Sequence, residues 1–502
     1  MGEYSIENLE FLFNPKNVAI FGAGKDLNKV AGQVLLHLKM GKYKGKIIPV
    51  NPNKEIIFNL ETIPSIKIIP ETIDLAIMAI PKKYIFPALE ECIEESVRFV
   101  IILTAGFQET NLFDLNSRKE QEKLKNMLNL NTRIIGPNCM GIASTSSNLN
   151  AVMGINPIPL SKLNRNMSFV SQSGTWAARS MRCAIKHDLG VSKIVSSGNE
   201  LDLTCEDFLE YFAFYDKSTQ VIGAFIEELR KGRKFIKIAS ESKKPIIILR
   251  AGTTEAGSKA ALSHTGSIST RSNLYESVFK QYGIVEARSL SELMDYLRAF
   301  SIFLAKGIMP KSNRVGIYTV GGGMGVLASD KCVNEGLEVV NLSTETIDKL
   351  NEVSGLPPIW SHNNPIDLIA TRDFSTTEKV LKILIEAEEV DMIISITPFG
   401  ISHQMNSLEN LPDMPQKIKE FNEKMLQAYH KSVVDHLLKM AKISNKPIII
   451  PTALYSTDLP HQYEEISDLM DAGVCVVNNV GDAAKTLFKL FKFQEKINKK
   501  LK

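Results

Sequence analysis

Residues 18–24 read Val18-Ala19-Ile20-Phe21-Gly22-Ala23-Gly24. An unbroken apolar run, with no polar residue at alternate places, suits a strand buried on both faces. The glycines that follow allow a tight turn, and Gln33–Leu38 then takes up helical apolar spacing. Strand, glycine turn and helix in that order open a parallel α/β sheet. The same kind of run recurs at Ile47–Val50, Leu75–Ile80, Val100–Leu103, Met167–Val170, Val221–Ile226, Ile246–Leu249, Val315–Val320, Met392–Ile396 and Ile448–Ile450. The spacing predicts an α/β chain throughout, built from doubly wound units in a row.

Two breaks divide it. The Asn-, Pro- and Ser-rich stretch Asn148–Arg165 precedes Met167, and Lys306–Asn313 precedes Val315. Three units are expected, over 1–145, 146–305 and 310–490, within the three or four that 502 residues suggest. Residues Leu408–Ile443 depart from the rhythm as a proline-punctuated entry and then a long charged helical stretch. An oversized crossover helix and a docking surface both fit it. The basic tail Lys489–Lys502 reads as a frayed, solvated helix end.

Composition narrows the class. Lys and Arg number 59 and Asp and Glu 56, so a net charge of +3 gives no drive toward nucleic acid or an anionic membrane. The apolar runs are strand-length, far short of a membrane span. The acids in Met1–Asn8 do not resemble a signal peptide, so the cytoplasm is expected. Cys92, Cys139, Cys183, Cys205, Cys332 and Cys475 never form a C-x-x-C pair, and no H-E-x-x-H occurs. Neither a disulfide framework nor a zinc or other metal site is indicated.

The turn after the first strand could cradle a phosphate-bearing ligand, but it lacks the adenine-dinucleotide signature. Leu27 stands where a third glycine belongs, and the second strand runs into Asn51-Pro52-Asn53-Lys54 where an acid would hold a ribose. NAD is disfavoured. Further loops at strand ends, Ala79-Ile80-Pro81, Thr104–Glu109 and Gly136–Gly141, would together wrap an elongated ligand in one crevice, though each taken singly is only a turn.

The stretch Ala251–Ser267 is almost entirely small residues around a single histidine, His264. An exposed filler residue is the plain reading of such a histidine. Imidazole with one free nitrogen is nevertheless a good nucleophile toward phosphorus when a carboxylate holds the other N–H. Glu227, at the end of strand Val221–Ile226, is a candidate holder; a solvated strand-end acid is the alternative. Two strand-to-helix turns, Ser171-Gln172-Ser173-Gly174 and Gly321-Gly322-Gly323, would point helix N-termini at an anion; an ordinary tight turn is the alternative for either one alone.

The set Ser263-His264-Thr265-Gly266-Ser267, Ser171–Gly174, Ser197-Gly198-Asn199, Gly136–Asn138 and Gly321–Gly323 resembles the ADP-forming acyl-CoA synthetases, relatives of succinyl-CoA synthetase. The resemblance runs through almost the whole chain and is to the α-type subunit. It implies a Rossmann-like CoA-binding domain followed by two flavodoxin-like domains. It implies that His264 is the phosphorylated residue and that Glu227 orients it. Ser173, Gly174, Gly322 and Gly323 would hold phosphate, and Ser197, Gly198 and Asn199 would meet the substrate. Gly22, Ala23, Asn51, Pro52, Lys54, Ile80, Pro81, Gly106 and Asn138 would line the coenzyme A crevice.

Departures from the family pattern are Gly24-Lys25-Asp26-Leu27 in the first loop, Glu228 in place of a common Gly, Ile268-Ser269-Thr270 after the histidine, and the longer 408–443 segment. The family's ATP-grasp module is missing from these residues. The resemblance therefore implies a separate ATP-grasp β subunit carrying ADP or ATP with Mg, in an α2β2 assembly. Substrates would be small acyl-CoAs, carboxylic acids and phosphate. A CoA-binding regulatory protein and a CoA lyase or acyltransferase on the same fold are the competing readings.

Overall fold

The computed structural model describes residues 5–110, 115–128, 131–154, 166–186, 189–257, 259, 272–369, 374–397, 415–452 and 464–501. The chain forms two compact units, Met1–Leu293 and Met294–Lys502.

The first unit holds two large sheets, beside a two-stranded ribbon of Ile56–Ile57 and Leu60–Glu61. Strands β1 (Asn17–Phe21), β2 (Lys46–Val50), β3 (Leu75–Met78), β4 (Phe99–Ile102) and β5 (Arg133–Ile135) lie in the order β2-β1-β3-β4-β5, all parallel. Val18 sits opposite both Ile47 and Leu75, and β3 and β4 are buried at every residue, as their unalternated sequences require.

The second sheet contains β6 (Gly141–Ser144), β7 (Leu149–Val152), β8 (Met167–Ser171), β9 (Val191–Ser196), β10 (Val221–Ile226), β11 (Ile246–Arg250) and β12 (Val285–Ala287). Their order is β12-β11-β10-β8-β9-β6-β7. The five strands β8 to β12 pair in parallel, as their sequence runs lead one to expect. The hairpin β6–β7 adds two antiparallel strands at one edge, which a short turn can join without a crossover helix. The hairpin also straddles residue 145, so Gly141–Ser144, at the end of the expected first unit, pair into the second sheet.

One apolar cluster runs from Leu9 and Val18 through Ile101 to Ile142, Phe208 and Phe279, joining both sheets in one core. Phe13 stacks on Tyr211 with ring centroids 5.3 Å apart. Arg133 grips Asp202 through two bonds of 2.8 and 2.5 Å, and Asp202 also accepts the Ile134 amide at 2.9 Å. Such a forked, largely buried pair fixes orientation as well as distance.

The second unit carries β13 (Arg314–Thr319), β14 (Glu338–Val339), β15 (Ile366–Asp367), β16 (Met392–Ile396), β17 (Ile448–Pro451) and β18 (Cys475–Val477). The order is β14-β13-β16-β17-β18, with β15 also pairing β13, and every pairing is parallel. The unusual segment forms one helix over Gln416–Ile443 that buries Val434, Leu437 and Met440; residues 408–414 lie outside the described residues. The basic tail is not frayed at its start. It continues the helix Val480–Leu501, whose Leu490 and Phe493 are buried.

The six cysteines form no disulfide among the described residues, and only Cys183 among them is not buried. No helix among the described residues is long and apolar enough to cross a membrane.

Candidate functional site

Strand β8 has β9 on one side and β10 on the other, so the crevice beyond the carboxyl ends of β8 and β10 is the switch point of the second sheet. β8 ends at Ser171, and Gln172 and Ser173 lead straight into the helix Gly174–Lys186. The Ser171 hydroxyl donates to the Ser173 carbonyl at 2.6 Å, fixing the turn. The first helical turn, whose N–H groups have no partner within the helix and which carries the positive dipole end, thereby lines a cavity of about 560 Å³. Gly174 lets Met140 pack directly against that turn; a side chain there would run into it.

On the other side, β10 ends in Ile226 and the chain turns through Glu227 and Glu228, both lining the cavity. Gln172 ties that turn down. Its Oε1 accepts the amides of Glu227 and Glu228 at 2.6 and 3.0 Å. Its Nε2 donates to the Glu228 carbonyl at 2.6 Å and to Glu200 Oε2 at 3.0 Å.

Glu200 is buried beside the cavity. Its Oε1 accepts from Ser197 Oγ at 2.8 Å and from the Cys205 amide at 2.9 Å, and Arg230 Nε lies 3.5 Å from Oε2. Burial and the neighbouring Glu206 carboxylate push the Glu200 carboxyl up to about 7, despite Arg230, Ser197 and Gln172.

The first sheet supplies the opposite wall. Glu109 Oε1 accepts the amides of Gly106 and Phe107 at 2.5 and 3.2 Å, while Oε2 accepts Asn199 Nδ2 at 2.5 Å. Asn138 Nδ2 donates onward to Asn199 Oδ1 at 3.3 Å. Gly198 makes this junction possible. Its φ is +61°, and a Cβ there would lie 2.5 Å from the Pro137 carbonyl oxygen and 2.7 Å from that of Asn138. Three carboxylates (Glu109, Glu227, Glu228) face the cavity, and among the described residues Arg230 is the only cationic side chain in its lining. An anion entering it therefore meets one guanidinium and one helix N-terminus. Cys139 also lines the cavity, but burial pushes its thiol up to about 12, which leaves it un-ionised and unsuited as a nucleophile.

The cavity thus gathers Asn138, Ser173, Gly174, Gly198, Asn199 and Glu227 from the residues singled out in the sequence. Ser197 is not in its lining; it is fully buried, with its hydroxyl engaged by Ser171 and Glu200. His264 and its neighbours 260–271 lie outside the described residues.

Gly22, Ala23, Asn51, Pro52, Lys54, Ile80 and Pro81 follow the carboxyl ends of β1, β2 and β3, around the switch point of the first sheet between β1 and β3. Gly22 has φ +83° and passes so close to β3 that a Cβ would sit 2.7 Å from Ile80 Cγ2. Asn51 Nδ2 donates to the Ala23 carbonyl at 2.7 Å, and Thr104 Oγ1 to that of Ile80 at 2.6 Å. Gly106, with φ +102°, closes the loop after β4. The third close-approach glycine, sought at position 27, is Gly32 in the first turn of the helix Val30–Met40. A side chain there would strike the Asp26 carbonyl.

Gly322 and Gly323 open the helix Gly322–Glu335 in the second unit, after β13. The Asp367 carboxylate faces that turn, with Oδ2 2.8 Å from where a Gly322 Cβ would stand.

Four contributors were not singled out in the sequence: Gln172, Glu200, Glu109 and Arg230. Each lies within or beside a quoted motif, but its role depends on partners far along the chain.

Residues 16–145 match the family model described as a CoA binding domain, and residues 164–300 the succinyl-CoA ligase like flavodoxin domain. The chain is 39% identical over 417 residues to the acetate–CoA ligase (ADP-forming) II subunit alpha of Pyrococcus furiosus, covering 82% of this chain and 88% of that one. It is 39% identical over 366 residues to the acetate–CoA ligase (ADP-forming) of Methanocaldococcus jannaschii, covering 72% of this chain and 49% of the relative. Among solved structures it is similar to the dinucleotide forming acetyl-coenzyme A synthetase 1 of Ca. Korarchaeum cryptofilum in complex with phosphate and ADP. That match has a TM-score of 0.82 and 28% identity, and covers 99% of each chain.

Proposed function

The chain belongs to the ADP-forming acyl-CoA synthetase family, and from that premise we propose that it is the α-type subunit of an acid–thiol ligase. It interconverts acyl-CoA, ADP and phosphate with carboxylic acid, CoA and ATP. The observation that carries this reading is the cavity itself, where a helix N-terminus at Ser173–Gly174, the Glu227 carboxylate and the Asn138–Asn199–Glu109 chain converge.

In the thioester-cleaving direction, a phosphate oxygen attacks the acyl carbonyl, the C–S bond breaks, and the departing CoA sulfur takes up a proton. The acyl phosphate then meets a nitrogen of His264, which attacks phosphorus and releases the carboxylate. Glu227 holds the other imidazole N–H and stabilises the cation that forms. The helix start at Ser173–Gly174 and Arg230 neutralise phosphate charge. Gly322 and Gly323 offer a helix start of the same kind.

On this reading, residues 1–145 bind coenzyme A, 146–305 carry the phosphohistidine, and 310–490 form the second flavodoxin-like domain. Gly22, Ala23, Asn51, Pro52, Lys54, Ile80, Pro81 and Gly106 line the CoA crevice. Transfer from His264 to ADP occurs on an ATP-grasp β subunit that holds the nucleotide with Mg, in an α2β2 assembly in the cytoplasm.

The test is to incubate the chain with radiolabelled phosphate and acetyl-CoA, avoiding acid in the work-up because phosphohistidine is acid-labile. Acid-labile label on the chain is expected, and none on His264→Ala. Label that survives His264→Ala removes that residue from the mechanism, and a wild-type chain that takes none overturns the reading.

A further inference from the structure

We infer that Gln172 is the positioning residue of the Glu227 carboxylate, locking the turn that carries it to Glu200 beside the cavity. The inference rests on the reaction proposed above for its catalytic meaning, but its geometry stands alone.

A carboxylate just beyond a strand end has no fixed direction until its backbone is fixed. Here two consecutive amides, those of Glu227 and Glu228, converge on one oxygen, Gln172 Oε1, at 2.6 and 3.0 Å. The Glu228 carbonyl is held by Nε2 of the same side chain at 2.6 Å. Three backbone groups of two residues are thus tied to one amide. The amide is anchored in turn, because Nε2 reaches Glu200 at 3.0 Å and the Gln172 backbone N–H bonds the Phe225 carbonyl at 3.2 Å.

Only glutamine meets these demands. Lys and Arg have no acceptor for the two N–H groups, and Glu has no donor for Glu200 and the Glu228 carbonyl. Asn has the chemistry but is one methylene short. A purely structural glutamine would also stabilise the fold. A positioning residue must in addition govern the rate of the step that Glu227 serves while leaving substrate affinity in place.

The experiment uses the full chain and two readouts: amide hydrogen exchange at residues 227 and 228, and the rate of labelling from radiolabelled phosphate and acetyl-CoA. In Gln172→Ala, exchange at 227–228 should rise by about tenfold or more, since the lost bonds are worth at least ~1.4 kcal/mol. Labelling should slow by about tenfold or more, with the half-saturating phosphate concentration within about threefold of wild type. Gln172→Asn gives the same reading if the alanine variant does not fold.

Gln172→Glu alone should be equally impaired. Combined with Glu200→Gln it regains a donor across that pair, though not one for the Glu228 carbonyl, so the double variant should recover part of the loss in both readouts. Unchanged exchange at 227–228 in both Gln172→Ala and Gln172→Asn overturns the inference. So does a double variant no better than Gln172→Glu. A chain whose exchange responds as expected, but whose wild type takes no label, keeps the positioning role and loses the proposed function.

Discussion

Exchanging Glu200 for glutamine should flatten the pH dependence of the first unit's stability. Glu200 is 3% exposed and its carboxyl is raised from 4.5 to about 7, chiefly by burial and then by Glu206. In the unfolded chain the same group releases its proton near 4.5, so between 4.5 and 7 the native state holds more protons. Stability from this group is therefore complete below pH 4.5 and is lost as pH rises through 7. A rise of that size corresponds to about 3 kcal/mol, a large share of the 5–15 kcal/mol typical of a folded domain.

Glutamine cannot ionise, so Glu200→Gln should lose about 2–3 kcal/mol less than wild type between pH 5 and pH 8. A constant offset accompanies it. With its NH2 turned toward Cys205, the new amide leaves the Cys205 N–H, now bonded at 2.9 Å, without an acceptor, which costs about 1–2 kcal/mol at every pH. The assay is urea unfolding of the full chain in a Trp360→Phe background. That leaves Trp176, stacked on Phe225 at 4.9 Å in the first unit, as the reporter. Identical pH slopes for the parent and its Glu200→Gln variant would refute the reasoning.

Gly198→Ala should destabilise the first unit by about 3 kcal/mol or more, because it adds left-handed strain to a clash with two backbone carbonyls. A urea midpoint within error of wild type contradicts this. Arg230→Met removes the one cationic side chain that lines the cavity among the described residues. It should raise the phosphate concentration for half-maximal labelling by about tenfold, and unchanged phosphate dependence would exclude Arg230 from anion binding.

What could be read in advance follows from the range of the interactions. The buried strands were legible because Leu75–Met78 and Ile246–Leu249 need no partner to declare themselves: only a doubly covered sheet suits such runs. The hairpin β6–β7 was not legible. Its buried Ser144 and Asn150 look like loop residues until their neighbours across the sheet are known. The helix start at Ser173–Gly174 was visible as local turn chemistry. Gln172, one residue earlier, was not, because its partners stand 28 and 56 positions away. Ser197 shows the converse. It lies in a recognisable motif, yet its hydroxyl turns inward to Glu200.

The hairpin and the shared core set a limit on how this chain can be taken apart. A breakpoint at residue 145 would sever β6 from β7 and divide the cluster that joins Val18 to Phe279. Recombination between relatives, or expression of fragments, should therefore keep residues 1–293 together as one module, with any breakpoint placed outside the helix Leu290–Ala305 that spans its end. The cavity draws its walls from both sheets of that module. Transplanting one half brings a foreign wall into the cavity, so its shape would have to be inherited from both parents together.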